Sequence, residues 1–190
     1  MAHHTANRVQ NKTQFGRLLL FMAITLLALS NTSCRAIRNA VPAIRAERAN
    51  AEFYQEYSQI LGYELQGTEH PELLSEVSTW LGTPHLMGGT TRQGADCSGF
   101  VGEVFRTVFQ INLPRTSAAM ALVSRSIPKD QLQDGDLVFF ITRKGDKVSH
   151  VGIYLSNGRF VHVSSRRGVM VSRLNESFFV RSFYKAGRVR

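Results

Sequence analysis

The sequence predicts an α+β fold: helices come first, and a mostly antiparallel sheet of about five to six strands follows them. Three observations carry this reading. Up to Phe109, apolar residues recur at the spacing of one helix face. From Leu137 onward they gather into short β-rich runs with the two-residue alternation of strands. Those runs are separated by turn residues, most clearly Asn157-Gly158. The chain has 190 residues, 43% of them hydrophobic, which suits one domain with its own core plus an extension.

Taken in order, the elements are as follows. Basic Arg8, Lys12 and Arg17 precede the uncharged run Leu18–Leu29, too short to cross a bilayer, which takes about 20 apolar residues. It suits the apolar region of an export signal. Small Thr32 and Ser33 then lead to Cys34, a pattern that resembles a bacterial lipoprotein signal in which the Cys is acylated and becomes the first mature residue. Asn31 departs from it, standing where an aliphatic residue is usual. Residues 1–33 are therefore expected to be a lipoprotein-type signal peptide, with an uncleaved anchor or a plain secretory signal as the competing readings, 34–49 an Arg- and Ala-rich tether, and 50–190 the folded domain. A first helix is expected from Asn50, a good N-cap, to Gly62, with Phe53, Tyr57, Ile60 and Leu61 inward. A second runs from Pro71 to Leu81 with Leu73, Leu74, Val77, Trp80 and Leu81 inward, stopped by Gly82 and Pro84. A third begins at Cys97 and presents Phe100, Val101, Val104, Phe105, Val108 and Phe109 on one side. Strands are expected over Leu137–Thr142, opened by the turn Gln133–Asp136, then Val148–Leu155, Arg159–Val163, Val169–Val171 and Val180–Tyr184.

The formal charge is +9. No recognition helix, base-stacking motif or finger spacing accompanies it, so anionic surfaces such as phospholipid headgroups or acidic wall polymers are favoured over nucleic acid as partners, with solubility alone the competing explanation. The chain has two cysteines. They could pair in an exported protein, but acylation would consume the sulfur of Cys34 and leave Cys97 as an unpaired thiol. At a helix N-terminus a thiol meets the positive end of the macrodipole and unpaired N–H groups, which favour thiolate. Burial as a small apolar residue is the competing reading.

His150 and His162 lie on the two strands of the predicted hairpin. A two-residue Asn157-Gly158 loop would set them on opposite faces. A three-residue loop, Ser156–Gly158, places His162 opposite Gly152 on the face of His150, and leaves room for the imidazole. If the histidines act together, the longer loop or an equivalent bulge is required. Cys97 facing His150, with His162 orienting the imidazole, is an arrangement for thiol acyl transfer.

The ordered motifs Gly88-Gly89, Gly94–Val101, Leu113–Ser117, Asp134–Phe140, Ser149–Tyr154 and Phe160–His162 together resemble the NlpC-type cell-wall cysteine peptidases, a compact papain-like family, over roughly Glu69 to Arg188. The resemblance implies a papain-like fold and hydrolysis of amide bonds in peptidoglycan peptides, without a cofactor or metal. It maps Cys97 onto the nucleophile, His150 onto the base and His162 onto the third polar residue. It places Asp96 and Ser98 in the substrate cleft, with Arg115 either approaching that cleft or serving as a structural donor. His85 stands where relatives usually carry a tyrosine near the oxyanion; an imidazole donates there only in a suitable tautomer or charge state. The implied setting is a monomer in the cell envelope, held by its N-terminal lipid at a bacterial membrane, the outer membrane facing the periplasm. Three rival readings use the same residues: a zinc site of Cys97, His150 and His162 joined by His85 or Asp96; a wall-binding lipoprotein without turnover; and acyl transfer to an amine or alcohol.

Overall fold

The computed structural model describes residues 42–145 and 147–189. The expected signal segment 1–33, Cys34 and the expected tether up to residue 41 lie outside the described residues. The chain divides into two units, Met1–Glu52 and Phe53–Arg190. In the first, residues 42–52 are helical and exposed. The helix expected to start at Asn50 is therefore already formed at residue 42. Arg45–Ala49 are good helix formers and an exposed mid-helix Asn costs less than about 1 kcal/mol, so the capping preference of Asn50 loses.

The second unit opens with helical residues 53–61 (α1). Tyr54 and Leu61 are buried, whereas Ile60, expected inward, is 44% exposed. Tyr54 takes its place on the inner face and donates its hydroxyl to the Glu69 carbonyl at 2.6 Å. Helix α2 spans Pro71–Ser78, with Pro at its first turn and the His70 ring accepting from the Leu73 N–H. It stops before the expected Leu81 because the next three amides bond three residues back, to Glu76, Val77 and Ser78, a 3₁₀-type tightening. A short hairpin unforeseen in the sequence, β1 (Thr90–Thr91) with β2 (Gly94–Ala95), delivers the chain to α3, Cys97–Val104. The expected apolar face continues through a π-helical turn, Phe105–Phe109, closed by left-handed Gln110. Helix α4, Ser117–Val123, is capped by the Thr116 side chain.

The main sheet contains β3 (Arg125–Ile127), β4 (Leu137–Phe140), β5 (His150–Tyr154), β6 (Arg159–Ser164), β7 (Gly168–Arg173) and β8 (Phe183–Arg188). Their spatial order is β3-β8-β4-β5-β6-β7, and every pairing is antiparallel. This is the α+β architecture expected, with six strands. Alternation sorts the side chains into two layers. Leu137, Phe139, Val151, Ile153, Val161 and Val163 pack with Leu73, Leu74, Phe100, Val101 and Val104 in the main core. On the other face Val138, Phe140, Phe160 and Ala186 form a second cluster with Phe179. Phe179 belongs to α5, Ser177–Ser182, which replaces the first part of the strand expected over Val180–Tyr184. The Val180 N–H returns to the Glu176 carbonyl, seating Phe179 on the sheet, and extended backbone begins only at Phe183.

The β5–β6 turn is the three-residue loop. Leu155 bonds the Arg159 carbonyl at 2.9 Å, Asn157 and Gly158 take positive φ, and Gly152 pairs with His162. A Cβ at Gly152 would lie 3.2 Å from the His162 Cβ and 2.6 Å from the Phe160 ring. The histidines thus share the face of the second cluster.

Candidate active site

Helix α3 starts at Cys97 because Asp96 caps it. The extended backbone of Asp96 presents Oδ1 to the Gly99 N–H at 2.7 Å. Its other oxygen accepts from the Gly88 N–H at 2.9 Å. Gly99 is required in the first turn, since a Cβ there would sit 2.1 Å from the Gly89 carbonyl oxygen. The glycine-bearing segment 88–99 thereby presses the helix entrance against its own incoming chain.

Cys97 is a free, half-buried thiol. Burial pushes it above the ordinary cysteine value, and the Asp96 carboxylate adds to this. The N–H groups of Val151, Ser98 and Cys97 itself work in the opposite sense and do not reverse the balance. The helix N-terminus alone predicts the contrary direction; desolvation outweighs it. The resting sulfur is a neutral thiol.

His150 opens β5 and His162 sits mid-β6. His150 Nε2 and His162 Nδ1 are 3.0 Å apart, with the two rings nearly perpendicular. His162 Nε2 lies 3.2 Å from Ser172 Oγ. Phe160 stacks on His162 and Phe179 meets it edge-on. Burial in this aromatic surround lowers His162 to about 3, helped by charge on His150 and Arg167. Burial lowers His150 to about 4, helped by charge on His85. Both imidazoles are neutral at pH 7, so each ring has one donor and one acceptor nitrogen. Ser172 was not singled out from the sequence. It is two residues beyond Met170, the β7 partner of His162, and thus a diagonal neighbour on the same face; the β6–β7 register would have revealed it.

Asp96, Ser98 and Arg115 form one network. Arg115 Nη1 donates to Asp96 Oδ1 and to Ser98 Oγ, each at 3.0 Å, and Nη2 donates to Asp96 Oδ2 at 2.8 Å. Ser98 Oγ donates to Asp96 Oδ1 at 3.0 Å. Burial alone would raise the Asp96 carboxyl, but Arg115, the Gly99 N–H, Ser98 and the Gly88 N–H hold it at about 2. His85 is fixed by a parallel backbone bridge to Ala95.

A cavity of about 1040 Å³ is lined by Cys97, His150, His162, His85, Ser172 and the Asp96–Ser98–Arg115 network. The sequence-predicted residues thus converge on one space, apart from Cys34, which lies outside the described residues. Among the described residues, no group of three or more His, Cys, Asp or Glu side chains is arranged to hold a metal ion. The zinc reading finds no support in this geometry, since His150 Nε2 and His162 Nδ1 face each other rather than a common centre. Chemically, the cavity combines a thiol, a neutral imidazole chain and main-chain donors at a helix start.

Comparison with known proteins agrees with this architecture. The NlpC/P60 family model matches residues 82–188. The protein named probable endopeptidase NlpC from Escherichia coli (strain K12) is 44% identical over 117 residues, covering 62% of this chain and 76% of that protein. The murein DD-endopeptidase MepS/murein LD-carboxypeptidase of the same strain is 38% identical over 117 residues, covering 62% of this chain and 61% of its own length. The crystal structure of an NlpC/P60 family protein from Bacillus cereus ATCC 10987 superposes with a TM-score of 0.57 at 32% identity, covering 62% of this chain. The matched part spans only 39% of that structure.

Proposed function

From the premise that this chain belongs to the NlpC/P60 family, we propose that it is a cysteine endopeptidase that hydrolyses amide bonds in peptidoglycan stem peptides through a thioester. The observation that carries the reading is the meeting of Cys97 and the His150–His162–Ser172 chain in one cavity. Relatives named as murein endopeptidases support the substrate class.

His150 Nε2 is engaged by His162, so Nδ1 is the nitrogen left to act on the thiol. With the polarity His150 Nε2–H to His162 Nδ1 and His162 Nε2–H to Ser172 Oγ, Nδ1 is bare and serves as general base. It takes the Cys97 proton as the sulfur attacks the scissile carbonyl. A neutral starting pair means that proton transfer accompanies attack rather than preceding it. Charge then develops on the carbonyl oxygen, where the Cys97 N–H and His85 serve as donors. Collapse expels the amine, which receives its proton from His150, and water attacks the thioester with His150 again as base. Asp96, Ser98 and Arg115 hold the helix entrance and border the substrate space.

The test is incubation of the full chain and its Cys97→Ala variant with defined muropeptides, with products read by mass spectrometry. Cleavage by the parent and none by Cys97→Ala is expected; equal product from both refutes the nucleophile. Export as a lipid-anchored envelope protein acylated at Cys34 belongs to the same proposal and rests on the basic and apolar N-terminal pattern. A Cys34→Ser protein that still fractionates with membranes after signal cleavage would defeat it.

A further inference from the structure

The cavity wall away from Cys97 is basic. Arg166 and Arg167 form the tip of the β6–β7 turn, and Arg143 stands on the β4–β5 connection at the same end of the sheet; all three line the cavity and are exposed. Arg92, Arg106, Arg115 and Arg188 each pair with a carboxylate. Among the described residues, no carboxylate pairs with Arg143, Arg166 or Arg167. Among the described residues, the wall carries one further carboxylate besides Asp96, that of Glu176, and its Oε1 accepts from the Arg173 N–H at 2.7 Å.

The turn that presents the two arginines is rigidly seated. Ser164 pairs with Gly168 across it, and the amides of Arg166 and Arg167 donate to Ser164 Oγ at 3.4 and 3.3 Å. Gly168 has φ +70, and a Cβ on it would lie 2.1 Å from the Thr83 carbonyl oxygen. The Val169 N–H donates to that same oxygen at 2.8 Å. The turn is therefore clamped against the segment that leads into His85. The charge of Arg167 also reaches the His162 ring, which puts this wall within electrostatic range of the imidazole chain. Guanidinium groups carried on a backbone-anchored turn beside an open cavity match a planar carboxylate.

We infer that Arg166 and Arg167, assisted by Arg143, bind a free carboxylate of the peptide substrate close to the scissile bond, and so set a preference for acidic over amidated stem peptides. This rests on the peptidase reading above and names its specificity. The carboxylate is either the C-terminus of the peptide or a carboxyl on one of its side chains.

The full chain is assayed with one stem peptide in three forms: all carboxylates free, the C-terminus amidated, and the side-chain carboxyl amidated. Equilibrium binding of the same peptides to Cys97→Ala is measured in parallel. Hydrogen bonds to charged groups are worth enough that one of the amidated forms should lose about tenfold or more in kcat/KM, mostly through KM. The form that loses identifies the carboxylate. In an R166Q/R167Q variant the ratio between free and amidated peptide falls toward one, and R166K/R167K restores part of it, which loss of structure alone would not do. Equal use of all forms by the parent overturns the inference, as does a preference that survives in R166Q/R167Q. A carboxylate preference in binding without turnover of any form sustains this inference and strikes the peptidase reading instead.

Discussion

Replacing Asp96 with Asn tests how the entrance of α3 is held. The carboxylate accepts hydrogen bonds from Gly88, Gly99, Ser98 and both terminal nitrogens of Arg115. It is held at about 2 against 3.8 for an unperturbed aspartate. At 1.36 kcal/mol per pH unit, the fold favours its ionised form by about 2 kcal/mol. Asn remains a good N-cap, so the substitution isolates charge from capping. It also turns one acceptor oxygen into an NH₂ group among donors, which adds about 1 kcal/mol or more. The expected destabilisation at pH 7 is therefore about 3 kcal/mol, read by urea unfolding of the full chain. The sign with pH follows from the depressed value. Stability from this carboxylate is fully present above the unfolded value of 3.8 and is lost as pH falls toward about 2. The gap between parent and Asp96→Asn should accordingly narrow on acidification below about pH 4. A gap under about 0.5 kcal/mol at pH 7, or one unchanged on acidification, would refute the reasoning.

Three further outcomes are expected. Ser172→Ala removes the outer anchor of His162 and should lower kcat by about two- to tenfold with little change in KM, measured by steady-state kinetics. Gly99→Ala forces a methyl to within 2.1 Å of the Gly89 carbonyl oxygen; a drop in melting temperature of several degrees, by about 4 °C or more, checks it. His150 and His162 are held near 4 and 3, below the 6.5 of an unperturbed histidine. The unfolded chain therefore takes up protons first, so stability falls as pH drops from about 6.5 toward the folded values. His162→Gln should flatten that slope in urea titrations at several pH values.

The legible parts of the fold were those with strong periodicity. Leu73, Leu74, Val77, Phe100, Val101 and Val104 are all buried as their spacing predicts, and of the two loops that alternation left open, the one present is the longer, which was expected only if the histidines act together. Short or conflicted segments were less legible. Arg125–Ile127 is a three-residue strand without a pattern of its own. Val180–Ser182 has strand-forming neighbours but is helical, because Phe179 is drawn onto Phe140 and Phe160. Residues Cys97, His150, His162, Asp96, Ser98, Arg115 and His85 could be singled out by type and order. The ionisation of Cys97 could not, since it depends on burial that no local motif reports. Ser172 escaped for a similar reason: its role comes from a cross-strand diagonal.

The position of β8 has a consequence for how the molecule is made. This last described strand is inserted between β3 and β4, elements that precede it by many residues, and Arg188 closes it with a bidentate bond to fully buried Asp136. While the chain emerges from its N-terminal end, β4 has an open edge and β3 has no neighbour to join. The β3–β8–β4 part of the sheet must wait for residues 183–188, whereas β4 to β7 pair in chain order and can form before them. A nascent chain stalled before Phe183 should remain sensitive to protease at β3 and along the uncovered edge of β4.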